Sequence, residues 1–199
     1  MVRTEKLAIF GGGGHGRVVA QIAAAAGCGE VVWIDDDPAK AAMAFDTFRN
    51  TFAGLPVALG IGDNTAREQV FMRLEAAGIV PLTLVHPSAV VADDAVLEAG
   101  CVVMPHTVVN TGARLGRGVI VNSGAVIEHD CVIGDFAHIS PNAALAGGVC
   151  VGDRAHVGIG ASVIQQVCIG ADTVVGAGAA VVRDLPAGVT AVGVPAQAC

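Results

Sequence analysis

VNSGAVIEHDCVIGDFAHIS, residues 121–140, carries an aliphatic residue at every sixth position. The same spacing continues without interruption over residues 85–181, and four positions after nearly every aliphatic residue stands a small residue or valine. The aliphatic positions are Val85, Val91, Leu97, Val103, Val109, Leu115, Val121, Ile127, Ile133, Ile139, Leu145, Val151, Val157, Val163, Ile169, Val175 and Val181. Hexapeptide periodicity of this length is typical of a parallel β-helix. Three hexads per coil predict about five and a half coils and a prism roughly 25 Å long.

The composition excludes several classes of protein. The 199-residue chain has a net charge of −7 and no basic patch, so nucleic acid is not an expected partner. No stretch approaches the roughly 20 apolar residues of a membrane-spanning helix, and the N-terminal apolar run is too short for a signal peptide. We therefore expect a cytoplasmic protein without membrane insertion. The six cysteines form no CxxC pair, so no metal site is expected.

The sequence divides into three parts with different patterns. Residues 1–84 lack the six-residue spacing and alternate strand-like with helix-like segments, which predicts a small α/β domain, half of a Rossmann fold. Residues 85–183 form the β-helix, and residues 184–199 are expected to pack on it as a C-terminal tail.

Secondary structure in residues 1–84 follows from apolar runs and breakers. Strands are expected over 6–10, 31–34 and 57–61, and helices over 17–26 and about 65–77. Asn64 is a candidate N-cap for the second helix. The stretch 38–54 has the weakest pattern and is expected to be irregular or a short helix.

A glycine-rich segment follows the first predicted strand. Its G-x-G-x-x-G pattern consists of Gly11, Gly13 and Gly16. Asp35 and Asp36 stand about twenty residues further on, as in dinucleotide-binding folds. Free N–H groups at a helix N-terminus attract phosphate, and His15 adds a donor; alternatively, the glycines only permit a tight turn. Because this short domain supplies one mononucleotide-binding half, we expect one nucleotide, as in a nucleotide diphosphate sugar, and not NAD.

His129 is the candidate general base of the β-helix. It stands two positions after the inward-facing Ile127, so its side chain is expected to point outward, and Gly147, one coil later, is expected to leave room beside the ring for a ligand. A neutral imidazole is a suitable base near pH 7, and a neighbouring carboxylate raises its basicity. Because successive strand side chains face opposite ways, Asp130 reaches the ring only if the chain bends at a corner. The alternative is a solvated surface histidine.

Two pairs of residues are separated by 18 positions and therefore share a column of the prism. His138 and His156 are expected on adjacent coils, either as a stacked pair near a subunit contact or as a set of ligand contacts. Cys150 and Cys168 are likewise expected about 4.8 Å apart. A cytosolic setting favours two free thiols over a disulfide.

The chain resembles bacterial sugar O- and N-acyltransferases of the left-handed β-helix, hexapeptide-repeat class, and is similar to the acetyltransferases that act on UDP-4-amino sugars in bacillosamine synthesis. The resemblance covers essentially the whole chain. It is carried by RTEKLAIFGGGGHG, the Asp35–Asp36 pair, the segment over 121–140 and the terminal GVPA. It implies a left-handed coil, a homotrimer with each active site between two prisms, and acetyl-CoA as co-substrate without a metal.

The resemblance also implies roles for individual residues. His129 matches the family's catalytic base, and Asp130 matches the acid that increases its basicity. The implied nucleotide-sugar contacts are Gly13, Gly14, His15, Asp35, Asp36, Gly62 in the third-strand loop, and Asn122 near the sugar. The implied acetyl-CoA contacts are His138, Gly147 and Ile159. One departure is Gln197, which stands where relatives often carry a Lys or Arg suited to coenzyme A phosphates.

The combined pattern predicts an N-acetyltransferase. The acetyl group of acetyl-CoA would move to the 4-amino group of a nucleotide-linked, most simply UDP-linked, 4-amino-deoxy sugar, with His129 as general base. O-acetylation of a sialic acid or related sugar is an alternative with the same fold and base. A non-catalytic nucleotide-sugar-binding scaffold is a second alternative, against which the intact His129–Asp130 pair argues.

Overall fold

A computed structural model of the protein describes residues 5–40 and 42–199. Its N-terminal part is a three-stranded parallel sheet in the order β2–β1–β3, with three helices in the connections. The elements are β1 (Lys6–Phe10), α1 (Gly14–Ala25), β2 (Glu30–Ile34), a 3₁₀ turn (Pro38–Lys40), α2 (Phe45–Thr51), β3 (Val57–Leu59) and α3 (Asn64–Ala76). The predicted strand–helix alternation is confirmed, and a short helix, one of the two alternatives for 38–54, forms within that stretch.

Two local predictions were wrong. The first helix begins at Gly14, three residues before the expected start, because the glycine loop leads directly into its first turn. Asp63, not Asn64, caps α3: its carboxylate accepts a hydrogen bond from the Ala66 N–H at 2.8 Å. Asn64 instead turns inward, and its Nδ2 donates to the carbonyl of Arg154 at 2.8 Å.

The hexapeptide region forms the expected prism, a left-handed parallel β-helix of about six turns. Each hexad contributes one two-residue strand and one corner. The strands are β4 (Leu84–Val85), β5 (Val90–Val91), β6 (Val96–Leu97), β7 (Val102–Val103), β8 (Val108–Val109), β9 (Arg114–Leu115), β10 (Ile120–Val121), β11 (Val126–Ile127), β12 (Val132–Ile133), β13 (His138–Ile139), β14 (Ala144–Leu145), β15 (Cys150–Val151), β16 (His156–Val157), β17 (Ser162–Val163), β18 (Cys168–Ile169), β19 (Val174–Val175) and β20 (Ala180–Val181).

Every third strand lies on the same face of the prism. The first face contains β4, β7, β10, β13, β16 and β19, the second runs from β5 to β20, and the third from β6 to β18. The C-terminal residues extend the first face: β21 (Thr190–Val192) pairs in parallel with β19, and β22 (Gln197–Ala198) folds back antiparallel on β21.

The core of the prism consists of the sixth-position aliphatic residues and the small residues that follow them. From Cys101 to Val181 both sets are buried, and all of them except Thr107 and Thr173 belong to one continuous hydrophobic cluster. Each strand pairs with the strand 18 residues away, so Ile133 lies beside Val151 and columns of like residues stack along the axis. Burial of such columns is the main driving force for this fold.

The N-terminal sheet rests on the first face. Leu7 and Ile9 of β1 and Val19 and Ile22 of α1 share a buried cluster with outward residues of that face, namely Leu84, Val102 and Ile120. A second cluster joins β3 and α3 to Phe136 at a corner of the prism. Continuous apolar packing therefore fixes the sheet against the early coils. No helix within residues 5–40 and 42–199 is long and apolar enough to cross a membrane.

Candidate active site

One cavity of about 430 Å³ lies at the carboxyl ends of β1 and β3. The residues that line it are Phe10, Gly11, Gly13, Gly14, His15, Asp35, Asp36, Lys40, Gly60, Ile61, Gly62 and Val70. All six residues predicted to contact the nucleotide in this part of the chain are among them. This edge of a parallel sheet is where α/β folds bind nucleotides, and we call the cavity the cleft.

The glycine loop makes the cleft possible through close backbone approach. A Cβ atom on Gly11, whose φ is +115°, would lie 2.7 Å from the carbonyl oxygen of Gly60, and one on Gly16 would overlap the carbonyl of Gly11. Gly13 is the N-cap of α1 and offers no side-chain capping group. The first-turn N–H groups are therefore left for an anionic ligand.

Two carboxylates line the cleft, and one of them, Asp35, accepts a hydrogen bond from the Gly12 N–H of the glycine loop at 2.8 Å. Partial burial alone would raise the pKa of Asp35, but hydrogen bonds from the Gly12 and Asp37 N–H groups and the charge of Lys40 lower it overall. A hydrogen bond from Arg73 lowers the pKa of Asp36 against its partial burial. Both groups are anionic at neutral pH and can accept hydrogen bonds.

Lys40 is a cleft residue that the sequence did not reveal. Its Nζ lies 3.5 Å from Oδ2 of Asp35, and a Cβ atom on Gly13 would face the same Nζ at 3.9 Å. The residue ends a 3₁₀ turn inside the stretch with the weakest pattern. Only its position a few residues after the paired aspartates could have signalled its place.

Three imidazoles form a row from the cleft along the first face. The ring centroids of His15 and His138 are 6.4 Å apart, and those of His138 and His156 are 4.8 Å apart. Burial first, and then the charge of Arg67, lower the pKa of His15 to about 4. Burial is also the main cause that lowers the pKa of His138 to about 3 and that of His156. All three rings are neutral at pH 7.

The proton of His138 can be assigned from its neighbours. The Asn122 Oδ1 accepts from the Ser123 N–H at 2.8 Å, so its Nδ2 faces His138 Nε2 at 3.0 Å. A ring nitrogen that accepts this bond leaves the proton on Nδ1. A backbone contact from Gly62 raises the pKa of His138 against the larger effect of burial. Nδ1 itself forms no hydrogen bond of normal geometry to any described residue. Asn122 and His138 thus belong to the surroundings of the cleft.

His129 and Asp130 form a dyad on an exposed corner of the prism. Nδ1 of His129 lies 2.8 Å from Oδ2 of Asp130, and the side chains are 56% and 74% exposed. The contact between sequence neighbours exists because Asp130 adopts φ +60°, which bends the chain at that point. A Cβ atom on Gly147 would lie 2.5 Å from His129 Nε2. The outward direction of the ring is confirmed. The room expected beside it for a ligand is taken by the ring itself, so the missing side chain of Gly147 admits the imidazole and not a ligand.

The dyad and the cleft lie on different sides of one prism. His129 stands between β11 and β12, at the edge where the second and third faces meet. In a three-sided prism that edge is opposite the first face, on which the N-terminal sheet rests. Ile159 is 53% exposed on another edge, between the first and second faces. The predicted residues therefore fall into three places. Asn122 and His138 lie near the cleft, Gly147 lies beside the dyad, and Ile159 lies apart from both.

The remaining groups that could form a disulfide or bind a metal are the cysteines and the other His, Asp and Glu side chains. Cys150 and Cys168 are paired in register on the third face, as expected, and both are free thiols. In residues 5–40 and 42–199 no group of three or more His, Cys, Asp or Glu side chains is placed to hold a metal ion.

Both parts of the chain match known protein families. Residues 6–74 match the family PglD N-terminal domain, and residues 112–147 match the family of bacterial transferase hexapeptide repeats. UDP-N-acetylbacillosamine N-acetyltransferase of Bacillus subtilis (strain 168) is 40% identical over 114 residues. That match covers 50% of this chain and spans about half, 51%, of the curated relative's length.

Solved structures match over nearly the whole chain. A histidine-to-alanine variant of GDP-perosamine N-acetyltransferase from Caulobacter crescentus, in complex with CoA and GDP-perosamine, is 41% identical with a TM-score of 0.92, covering 98% of this chain and 96% of that one. The acetyltransferase domain of PglB from Neisseria gonorrhoeae FA1090, in complex with acetyl coenzyme A, is 37% identical with a TM-score of 0.92, covering 98% and 99%. This chain belongs to the family of left-handed β-helix, hexapeptide-repeat sugar N-acetyltransferases that these proteins represent.

Proposed function

We propose that the protein transfers the acetyl group of acetyl-CoA to the 4-amino group of a nucleotide-linked 4-amino-deoxy sugar. The observation that carries the proposal is the exposed His129–Asp130 dyad, whose imidazole lies against Gly147, in a chain that also holds a nucleotide-sized cleft. The dyad supplies a base, and the cleft supplies N–H donors and carboxylate acceptors for a charged, hydroxyl-rich ligand. The bound acceptors of the relatives, and the matches over both parts of the chain, support the same assignment.

The cleft binds the nucleotide in this proposal. The amides of Gly13 and Gly14 at the start of α1 receive the phosphates, with Lys40 beside them as a counter-charge. Asp35 and Asp36 accept hydrogen bonds from ribose or base. Activity with UDP-linked or with GDP-linked sugars distinguishes the two nucleotides.

His129 acts as general base. Asp130 accepts the bond from Nδ1–H, which fixes the tautomer and leaves Nε2 to accept a proton. As the amine nitrogen attacks the thioester carbonyl, the new C–N bond forms, the C–S bond breaks, and His129 takes the proton released by nitrogen. The same proton then passes to the departing thiolate of coenzyme A, so the dyad returns to its starting state. The Asp130 carboxylate stabilises the imidazolium formed between the two steps.

The acetyl-CoA contacts are proposed at Gly147 on the edge of the dyad and at His138 and Ile159 of a neighbouring subunit, because those two residues lie on other sides of the prism; few cations assist. Arg117 and Arg154 of the prism are engaged in ion pairs with Asp135 and Asp172. Arg183 follows β20 on the edge that carries His129, about three coils or roughly 14 Å further along the axis. We assign the phosphates of coenzyme A to this exposed arginine, and the pantetheine arm to backbone groups along the same edge.

We propose a homotrimer with each active site between two subunits. The dyad lies on the edge opposite the chain's own cleft, so a cleft and a dyad can meet only across an interface. The outward positions of the second face support such an interface because they are apolar or small: Val90, Val108, Val126 and Ala144. We infer a cytoplasmic location, since acetyl-CoA and nucleotide sugars are cytoplasmic substrates.

A substrate panel tests the proposed function. The purified protein is incubated with acetyl-CoA and each of a set of UDP- and GDP-linked 4-amino-deoxy sugars, and release of the free thiol of CoA is measured. We expect release with at least one 4-amino sugar nucleotide and none with its 4-hydroxy counterpart. Release with a free sialic acid but with no amino-sugar nucleotide would replace the proposal by sugar O-acetylation, and release with neither would reduce the protein to a binding scaffold.

A further inference from the structure

Arg67 is a buried arginine with no ion-pair partner. Its side chain projects from α3, is 0% exposed, and has no carboxylate within ion-pair distance among residues 5–40 and 42–199. Burial lowers its pKa to about 10, so the guanidinium still carries its charge at neutral pH. A buried, unpaired charge is costly unless every donor is satisfied. In this structure backbone carbonyls and the Asn64 side chain accept hydrogen bonds from Nε, Nη1 and Nη2.

The guanidinium of Arg67 donates to backbone carbonyls of both parts of the molecule. On the side of the cleft, Nη1 donates to the carbonyls of Ile61 and Gly62 at 3.3 and 3.0 Å. On the side of the prism, Nε donates to Gly118 at 2.7 Å and Nη2 to Phe136 at 2.6 Å. One planar group therefore joins the third-strand loop of the cleft to two successive coils.

The carbonyls that accept from Arg67 lie close to proposed site residues both in the cleft and on the prism. Gly62 lines the cleft, and a Cβ atom on it would lie 3.6 Å from Cβ and Cγ of His15. Phe136 stands two residues before His138 on the same coil. A shift of the N-terminal part along the prism by one coil, about 4.8 Å, would break every one of these bonds at once.

Asn64 completes the set of contacts. Its Oδ1 accepts from Nη2 of Arg67 at 2.8 Å, and its Nδ2 donates to the carbonyl of Arg154 at 2.8 Å. Gly118, Phe136 and Arg154 occupy equivalent corners of three successive coils, because each follows the last by 18 residues. Two side chains of α3 thus recognise three consecutive corners, which defines the register of the helix on the prism.

We propose that Arg67 is a positioning residue that holds the Gly62 loop of the cleft in register with the coil that carries His138. The inference rests on the proposed acetyl transfer, because a fixed register matters where two bound substrates must meet. The five donors of the planar guanidinium match carbonyls in fixed directions, which a lysine ammonium cannot reproduce. Burial is the main cause that lowers the pKa of His15, His138 and His156, and the charge of Arg67 lowers it further in the same direction.

Arg67→Lys is the main test, because it keeps the charge and loses the fork of donors. We expect the variant to bind UDP or GDP alone and CoA alone within about threefold of the wild type, since each ligand contacts one side of the joint. We expect kcat per folded trimer to fall at least tenfold, because the two substrates no longer meet in one geometry. An unchanged kcat per folded trimer, with only a lower Tm, would overturn the proposal.

Arg154→Gln is the matched control. Arg154 also bridges α3 to the prism, through Glu68 and Asp172, but it touches no residue of the cleft. We expect a lower Tm with kcat and both KM values unchanged. If Arg67→Lys does not fold, Asn64→Ala takes its place, since it removes one acceptor of the guanidinium; a kcat reduced about threefold or more supports the proposal, and an unchanged kcat overturns it.

A readout without turnover separates this inference from the proposed function. Backbone hydrogen exchange is followed in the wild type and in Arg67→Lys, with and without UDP or GDP. We expect the nucleotide to slow exchange in residues 134–140 of the wild type and not in the variant. Equal protection in both would overturn the role of Arg67, whereas absence of CoA release by the wild type with every amino-sugar nucleotide would overturn only the proposed function.

Discussion

In the prism the sequence position of a residue determines the face and the coil on which it lies, whereas in the N-terminal part sequence position does not determine location. His129 and Gly147 share an edge because they are 18 residues apart, and the same rule stacks His138 on His156. Lys40 reaches Asp35 through a 3₁₀ turn, and no spacing indicates that contact. The two parts therefore have different roles in the proposed reaction. The repeats hold the dyad at a fixed position, and the N-terminal part provides the groups that select the acceptor.

The largest expected effect comes from removing the base on the repeat. His129→Ala should lower kcat at saturating substrates by at least about 100-fold, because a positioned general base contributes roughly that much or more. The Tm and the oligomeric state should stay at wild-type values, since the ring is more than half exposed. His106→Ala, at an exposed corner of another edge, is the matched control and should retain full activity. Near wild-type turnover in trimeric His129→Ala would refute the assignment.

Gly147→Ala tests whether spacing in the prism sets the position of the base. The added Cβ atom would lie 2.5 Å from Nε2 of His129, so the ring must turn away from its bond to Asp130. We expect kcat to fall on the order of tenfold, measured by CoA release. The double variant with His129→Ala should be no slower than His129→Ala alone, since Gly147 acts through that ring. An additive loss would contradict an effect through the ring and would place it at the acetyl-CoA contact proposed for Gly147.

The junction of the two parts should show a pH dependence of stability. His15 and His138 have pKa values lowered to about 4 and about 3 in the folded protein, mainly by burial, against 6.5 when unfolded. The unfolded chain therefore binds more protons below pH 6.5, and the free energy of unfolding should fall as pH drops from about 6.5 to 4. The slope should be on the order of 1 kcal/mol per pH unit for each ring.

Denaturation with urea at several pH values measures this slope. His138→Gln should reduce the slope between pH 6.5 and 4.5 by at least about a third, whatever its effect on stability at pH 7, because His15 and His156, whose pKa values are also lowered, still contribute. Asp35, Asp36 and Asp172 have lowered pKa values, so their contributions are lost only below their unfolded value of 3.8, outside this window. A slope identical to that of the wild type would show that His138 is not buried as a neutral ring.

The smallest expected effects come from replacing one cation in the cleft and one cation on the prism. Lys40→Met should raise the KM for the nucleotide sugar several-fold and leave the KM for acetyl-CoA unchanged, because Lys40 lies in the cleft. Arg183→Gln should do the reverse, because Arg183 lies on the edge of the dyad. Each variant is the control for the other, and the difference should shrink as ionic strength rises. Equal changes in both KM values would contradict the division between cleft and prism.

Much of this arrangement could be predicted from sequence because hexapeptide strands repeat the same conformation. The outward direction of His129, its position beside Gly147 and the columns of the prism all followed from counting, whereas the room expected there for a ligand is filled by the ring. The contact between Asp130 and His129 required a corner with positive φ, which the sequence allowed but did not require. In the N-terminal part the glycine pattern located the cleft, since close approach at Gly11 and Gly16 tolerates no side chain.

The residues that sequence reasoning missed act through tertiary contacts. Asp63 caps α3 although the neighbouring Asn64 suits a cap equally well, because Asn64 is drawn into the joint with the prism. Arg67 has the pattern of an ordinary polar helix residue, and its acceptors lie 51 and 69 residues away along the chain. Neither propensity nor periodicity carries information about such partners.

Mixed trimers test most directly whether a cleft and a dyad from different chains form one site. Gly13→Leu fills the cleft without straining the backbone, since Gly13 has φ −80° and open space beside it, and His129→Ala removes the base. Each variant alone should be inactive. Co-expressed in equal amounts, they should recover about one quarter of the wild-type activity, because one interface in four then pairs an intact cleft with an intact dyad. Mixed trimers no more active than either parent would contradict a site shared between subunits.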